Sequence, residues 1–128
     1  YLAVPHKGPL ALVHAGWRGA AGGILEHAVD LLENRGFGGA SDIVMHCGVG
    51  ICGECYEVGS EVSERFGKQG ATHLDLRDIL AQQARALGIR DVSISPWCSA
   101  EERDRFFSHR ASRGRDGRMV AYLGRPRG

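Results

Sequence analysis

The stretch His14-Ala15-Gly16-Trp17-Arg18-Gly19-Ala20-Ala21-Gly22-Gly23 decides how this chain is read. Before it stands Leu10-Ala11-Leu12-Val13, an apolar run that predicts a buried strand. After it comes Ile24 to Leu32, part of a helix expected over about Ala20 to Asn34, with a stripe at Ile24, Ala28, Leu31 and Leu32. Strand, glycine-rich turn and helix thus follow within a few tens of residues. Glycines let backbone approach a ligand, and a helix N-terminus favours anions through its unpaired N–H groups. Arg18 adds a forked cation suited to phosphate or carboxylate, and His14 offers a metal ligand or a proton carrier. The same residues also read as architecture alone: a glycine-containing connection, a hydrogen-bonded histidine, and an arginine paired with Glu26.

Outward from this stretch, strand and helix patterns alternate, which predicts a layered α/β domain. Tyr1 to Val4 reads as a strand joined to the Leu10 run by the turn Pro5-His6-Lys7-Gly8-Pro9, where His6 reads as a solvated loop residue. Asp42 to Cys47 reads as a strand buried on both faces. Val58 to Phe66 suggests a short helix, and Leu74 to Leu87 a longer one. That longer helix has Asp75 as N-cap, Gly88 as terminator and a buried side at Leu76, Ile79, Leu80, Ala84 and Leu87. Asp91 to Ser95 alternates like a strand with one buried face, Ala100 to Arg105 suggests a surface turn, and Arg118 to Leu123 a final strand. Between these last two, Ala111 to Gly117 reads as a flexible basic turn.

Length and charge bound the function. The 128 residues make one domain's worth of chain, and a formal net charge of +1 gives no reason to expect nucleic acid or an anionic membrane as partner. No apolar run approaches a membrane span and no signal-peptide pattern opens the chain. Cys47, Cys52, Cys55 and Cys98 read as cytosolic thiols rather than disulfide staples. Cys52 and Cys55 form a Cys-x-x-Cys pair, but Cys98 stands apart in sequence, so packed or loop-lining thiols are expected rather than a zinc half-site or a redox pair. In Phe106-Phe107-Ser108-His109-Arg110 two readings stand level: His109 and Arg110 at a site, or phenylalanines in the core with a solvated polar edge.

Three segments in this order resemble the laccase-domain family, whose members are described as multicopper polyphenol oxidases, peptidoglycan editing factors and purine nucleoside phosphorylases. They are His14 to Gly19, Gly48-Val49-Gly50-Ile51-Cys52-Gly53-Glu54-Cys55-Tyr56-Glu57-Val58-Gly59, and Phe106 to Arg110 with Gly117-Arg118-Met119. The resemblance runs through nearly the whole chain. It implies a cytoplasmic α/β (α+β) domain, an α/β/β/α sandwich with a mixed sheet and a cysteine-hydrolase-like fold, of which residues 1–128 are the C-terminal portion. It also implies one metal, zinc or else copper, with His14 as one of its ligands. The family's other histidine and its cysteine belong to upstream segments, the cysteine matching just before Tyr1, so a site keeping one ligand is expected to hold metal poorly.

The activity implied is phosphorolysis of adenosine or inosine to the base and ribose 1-phosphate, with inorganic phosphate as co-substrate, together with deamination of adenosine, by a monomer or homodimer. On that reading Arg18, Cys55 and His109 are catalytic. Gly16, Trp17, Arg18, Gly19, Tyr56 and Arg110 bind the purine nucleoside. The sequence departs from its relatives' pattern at Val49 and Glu54, where proline and cysteine are common. The alternatives are a copper-dependent polyphenol oxidase, for which the several ligand sets are missing, a peptidoglycan-editing cysteine hydrolase, and an inactive or interaction module.

Overall fold

The computed structural model describes residues 1–5 and 8–127, so the reading of His6 lies outside the described residues. It is a mixed α/β structure built on a four-stranded mixed sheet of order β2-β1-β3-β6. β1 (Leu2–Ala3) pairs antiparallel with β2 (Leu10–Ala11) and with β3 (Val44–Cys47), and β3 pairs parallel with β6 (Asp91–Ile94). A small second sheet joins β4 (Glu57–Val58) to β5 (Thr72–His73). The helices are α1 (Trp17–Ala21), α2 (Ile24–Asn34), α3 (Ser60–Ser63) and α4 (Leu76–Leu87).

The sheet faces differ because side chains alternate along a strand. Met45 and Cys47 point into a core shared with Leu2, Val4, Ile43, Ala84, Ile89 and the α2 residues Leu25, Val29 and Leu32. His46, between them, is exposed on the other face and shares a 2.8 Å hydrogen bond with Ser93 of β6. The expectation that β3 is buried on both faces is therefore corrected. Helix α4 packs on β3 and β6, α2 on α4, and α1 on both helices, so the helical layer covers one face of the sheet. Gln83 of α4 fastens α1 through a 3.0 Å bond to the Ala20 carbonyl.

Four further expectations change. The Leu10 to Val13 run is not a buried strand: β2 is a two-residue edge strand, half-buried, and Leu12 is exposed. The glycine-rich turn and the long helix divide into α1 and α2, because Gly23 adopts φ +79°, a left-handed conformation costly for other residues. The buried stripe of α2 is Leu25, Val29 and Leu32, while Leu31 is 54% exposed. Leu31 lies one residue from the face turned to α4, and two helices in contact bury only a narrow stripe. Arg118 to Leu123 forms no strand; Val120 and Tyr122 are each 87% exposed and nothing pairs their backbone among the described residues.

Helix α4 begins as its sequence predicts. The Asp75 carboxylate accepts from the backbone N–H of Arg77 and of Asp78, at 3.1 and 3.0 Å, and Gly88 closes the helix at φ +99°. Its deepest residues are Ala81 and Ala84, with Leu80 and Leu87 beside them at the core's margin. The small side chains let α4 lie close against the sheet. In β6, Val92 packs on the core but Ile94, at the strand's end, is partly exposed.

Candidate functional site

A parallel pair of strands brings together the loops that leave its carboxyl ends. Beyond the β3–β6 register, Ser95 donates to the Cys47 carbonyl at 2.8 Å, Gly50 bridges Cys98, and Ser99 donates to the Gly50 carbonyl at 3.0 Å. The glycine-rich loop after β3 and the Pro96-Trp97-Cys98-Ser99 segment after β6 thus run side by side. Arg77, from the first turn of α4, holds the second segment by donating from Nη1 to the carbonyls of Ser95 and Trp97, at 3.1 and 2.7 Å. Its Nε is buried without a hydrogen-bond partner among the described residues.

This juxtaposition gathers Cys52, Cys55, Cys98 and Glu101, whose sulfur and carboxylate atoms all lie within 4.8 Å of one another. The Cys52 and Cys55 thiols both donate to Glu101 Oε1, at 3.6 and 3.5 Å, and the Cys52 N–H donates to Cys98 Sγ at 3.2 Å. None is in a disulfide. The Cys55 thiol is pushed up to about 12, chiefly by its hydrogen bond with Cys52 and then by burial. Burial, followed by the Cys98 side chain, raises the Cys52 thiol. Burial pushes the Cys98 thiol up too, but backbone N–H groups of Cys52, Ala100 and Glu101, with the Cys52 thiol, outweigh it and the net shift is downward. The expectation that Cys98 stands alone is corrected: the sequence separation is closed by the parallel register.

A cleft of about 440 Å³ opens at the carboxyl end of β3, lined by His14, Ala15, Tyr1, His46, Cys47 and Arg77 among others. The Cys47 thiol, raised by burial, lies 3.7 Å from the Arg77 carbonyl. A wider open groove of about 810 Å³ beside α4, lined by Glu54, His73, Asp75 and Asp78 among others, contains none of the site residues expected from sequence.

Of those expected residues, His14 lines the cleft and its side chain is exposed. Gly16 precedes α1 in an extended conformation with open space around it, whereas Gly19 is a packing position where a side chain would meet Ile24 at 3.3 Å. Trp17 and Arg18 open α1, and the Arg18 guanidinium stacks over the Trp17 ring at 4.4 Å instead of pairing with Glu26. Because α1 has five residues, its dipole is that of a single turn. Tyr56 and Arg110 are brought together, with the guanidinium 4.9 Å from the ring centroid and donating to the Glu57 carbonyl.

Cys55 belongs to the cysteine–glutamate group, and His109 packs near Gly114 within its own turn. Neither lines the His14 cleft. In the Phe106 to Arg110 segment Phe107 is exposed and Ser108 buried, so the division into core phenylalanines and a solvated polar edge is corrected. The basic turn that follows is built: Asp116 accepts from the Ser108 N–H and pairs with Arg103, while Ser112 accepts from the N–H groups of Arg115 and Asp116.

Among the described residues, three or more histidine, cysteine or acidic groups come together only at Cys52, Cys55, Cys98 and Glu101. Among the described residues, none around His14 joins it in a group of three possible metal ligands. Sequence reasoning missed Cys98, Glu101, His46, Cys47 and Arg77. The Cys-x-x-Cys pair was the visible signal for the first two, whereas the last three are gathered by topology alone.

Compared with known proteins, residues 1–126 match the family model described as "Multi-copper polyphenol oxidoreductase laccase". The chain is 37% identical to a "Purine nucleoside phosphorylase" of Deinococcus radiodurans, over 98% of this chain and 53% of that protein. It is 34% identical to "Adenosine deaminase RL5" from an unknown prokaryotic organism, over 80% of this chain and 45% of that one. The crystal structure of YlmD from Geobacillus stearothermophilus superposes with a TM-score of 0.86 at 34% identity, covering 91% of this chain and 49% of YlmD. The chain therefore spans about half the length of the curated relatives it matches.

Proposed function

From the premise that this chain belongs to the multi-copper polyphenol oxidoreductase laccase family, we propose that it serves in purine nucleoside chemistry: phosphorolysis of adenosine or inosine, and deamination of adenosine. The observation that carries this reading is the likeness, over nearly its whole length, to a relative bearing the phosphorylase name. The deaminase name of a second relative supports the second activity. In phosphorolysis a phosphate oxygen bonds to C1′ of the ribose as the C1′–N9 bond breaks, and the base leaves with a proton on its ring. In deamination water adds at C6 of adenine and ammonia departs.

The His14 cleft is the place we assign to the nucleoside, since its volume lies in the range of small-molecule sites and it mixes apolar walls with a few polar groups. His14 and His46 offer imidazoles to the ribose and base, and Arg77 a guanidinium with one uncommitted buried donor. Arg18, which makes no ion pair among the described residues, is assigned to phosphate. Tyr56 and Arg110 form a stacked pair of their own beside the cleft's residues rather than among them, and Cys55 and His109, which do not line the cleft, have no part in this assignment.

The test is product analysis on protein expressed from its whole gene, incubated with adenosine or inosine and inorganic phosphate. Free base with ribose 1-phosphate, or inosine from adenosine, is expected. His14→Ala should abolish turnover, and Arg18→Ala should raise the phosphate KM more than it lowers kcat. No turnover of either nucleoside by folded, metal-replete protein would overturn the reading. Oxidation of a phenol under the same conditions would transfer it to the polyphenol oxidase alternative.

A further inference from the structure

We propose that Cys52, Cys55, Cys98 and Glu101 form a tetrahedral zinc site that clamps the loop after β3 to the loop after β6. It is separate from the His14 cleft and independent of the nucleoside reading. Zinc takes thiolate sulfur at about 2.3 Å and carboxylate oxygen at about 2.0–2.2 Å, so a tetrahedron has S···O edges of about 3.5 Å and S···S edges of about 3.8 Å. The Glu101 Oε1 contacts with Cys52 and Cys55 measure 3.6 and 3.5 Å, and all four donor atoms fall within 4.8 Å. The chain therefore holds its donors close to metal geometry.

Three further observations favour a metal. The two thiols converge on a single carboxylate oxygen, an arrangement with no part in a disulfide. Three cysteines also leave one unpaired whichever two are joined. The Cys98 sulfur is buried and accepts the Cys52 N–H at 3.2 Å, the kind of bond that disperses charge on a metal-bound thiolate. The hard carboxylate oxygen favours zinc over copper(I), which prefers an all-sulfur set. With four protein ligands the site is closed, so its role is structural. Binding releases the thiol protons to solvent and joins two segments more than forty residues apart in sequence.

The experiment loads whole-gene protein with zinc after phosphine reduction and removes excess metal. It then measures bound zinc, its X-ray absorption fine structure, and the alkylation of each cysteine by mass spectrometry. We expect a zinc shell rich in sulfur. Cys52 and Cys55 should be protected from alkylation until a chelator is added. His14→Ala should retain this zinc, and the Cys52→Ser/Cys55→Ser double variant should lose it. Cobalt substitution should give sulfur-to-metal charge-transfer absorption that vanishes in the double variant. Should that variant fail to fold, the protection map of the wild type still decides. A zinc shell without sulfur, zinc lost in His14→Ala with Cys52 and Cys55 unprotected, or equal alkylation with and without chelator would each overturn the site.

Discussion

Replacing Asp75 with alanine tests how the start of α4 is held and what depends on it. One carboxylate oxygen accepts from two backbone N–H groups, those of Arg77 and Asp78, and the alanine variant leaves both unpaired at a partly buried helix end. Loss of an N-cap costs about 1–2 kcal/mol when both donors depend on it. With about 2.1 cal/mol/K of unfolding entropy per residue, 128 residues give about 0.27 kcal/mol/K, so Tm should fall by about 4–7 °C. Thermal unfolding followed by circular dichroism measures this. Asp75→Asn, which keeps the acceptor, should lie within about 1 °C of the parent. Fraying the first turn also loosens Arg77 and its hold on the Ser95 and Trp97 carbonyls, so Cys98 should alkylate faster in the alanine variant. An unchanged Tm in Asp75→Ala, or an equal loss in Asp75→Asn, would refute the capping argument.

Leu25→Ala and Leu31→Ala test the phase of α2: the first should cost about 2–5 kcal/mol and the second well under 1 kcal/mol in urea unfolding, since only Leu25 is buried. Gly88→Ala should cost about 1 kcal/mol by the same measurement, through the backbone rather than a clash, because φ is +99° and the added carbon would meet only Ala40, at an ordinary 3.5 Å. Asp116→Ala should destabilise the turn after Ser108, exposing Ser108 and Gly114 amides to faster hydrogen exchange, since its carboxylate holds both the Ser108 N–H and Arg103. His14→Ala should abolish nucleoside turnover while leaving Tm within about 1 °C, because an exposed side chain contributes little to stability.

The sequence by itself determined the local events, because these depend on neighbours along the chain. Asp75 and Gly88 bracket a helix through side-chain capping and a left-handed φ, and the order of strand and helix patterns determined the α/β class. It also carried the family, in motifs whose residue types are contiguous. Exposure within an element was less legible: the faces of α2 and β3 depend on what packs against them, so Leu31 and His46 read as buried from an apolar run and are not. The apolar run Arg118 to Leu123 reads as a strand, but a strand requires a partner, and none pairs with it among the described residues.

What only the tertiary structure decided is the company each functional side chain keeps. Cys98 joins Cys52 and Cys55 because β3 and β6 run parallel in a specified register, and Arg77 reaches the loop after β6 because α4 packs on those two strands. These are contacts between residues 18 to 46 positions apart, set by sheet pairing and helix packing, and no local periodicity encodes them.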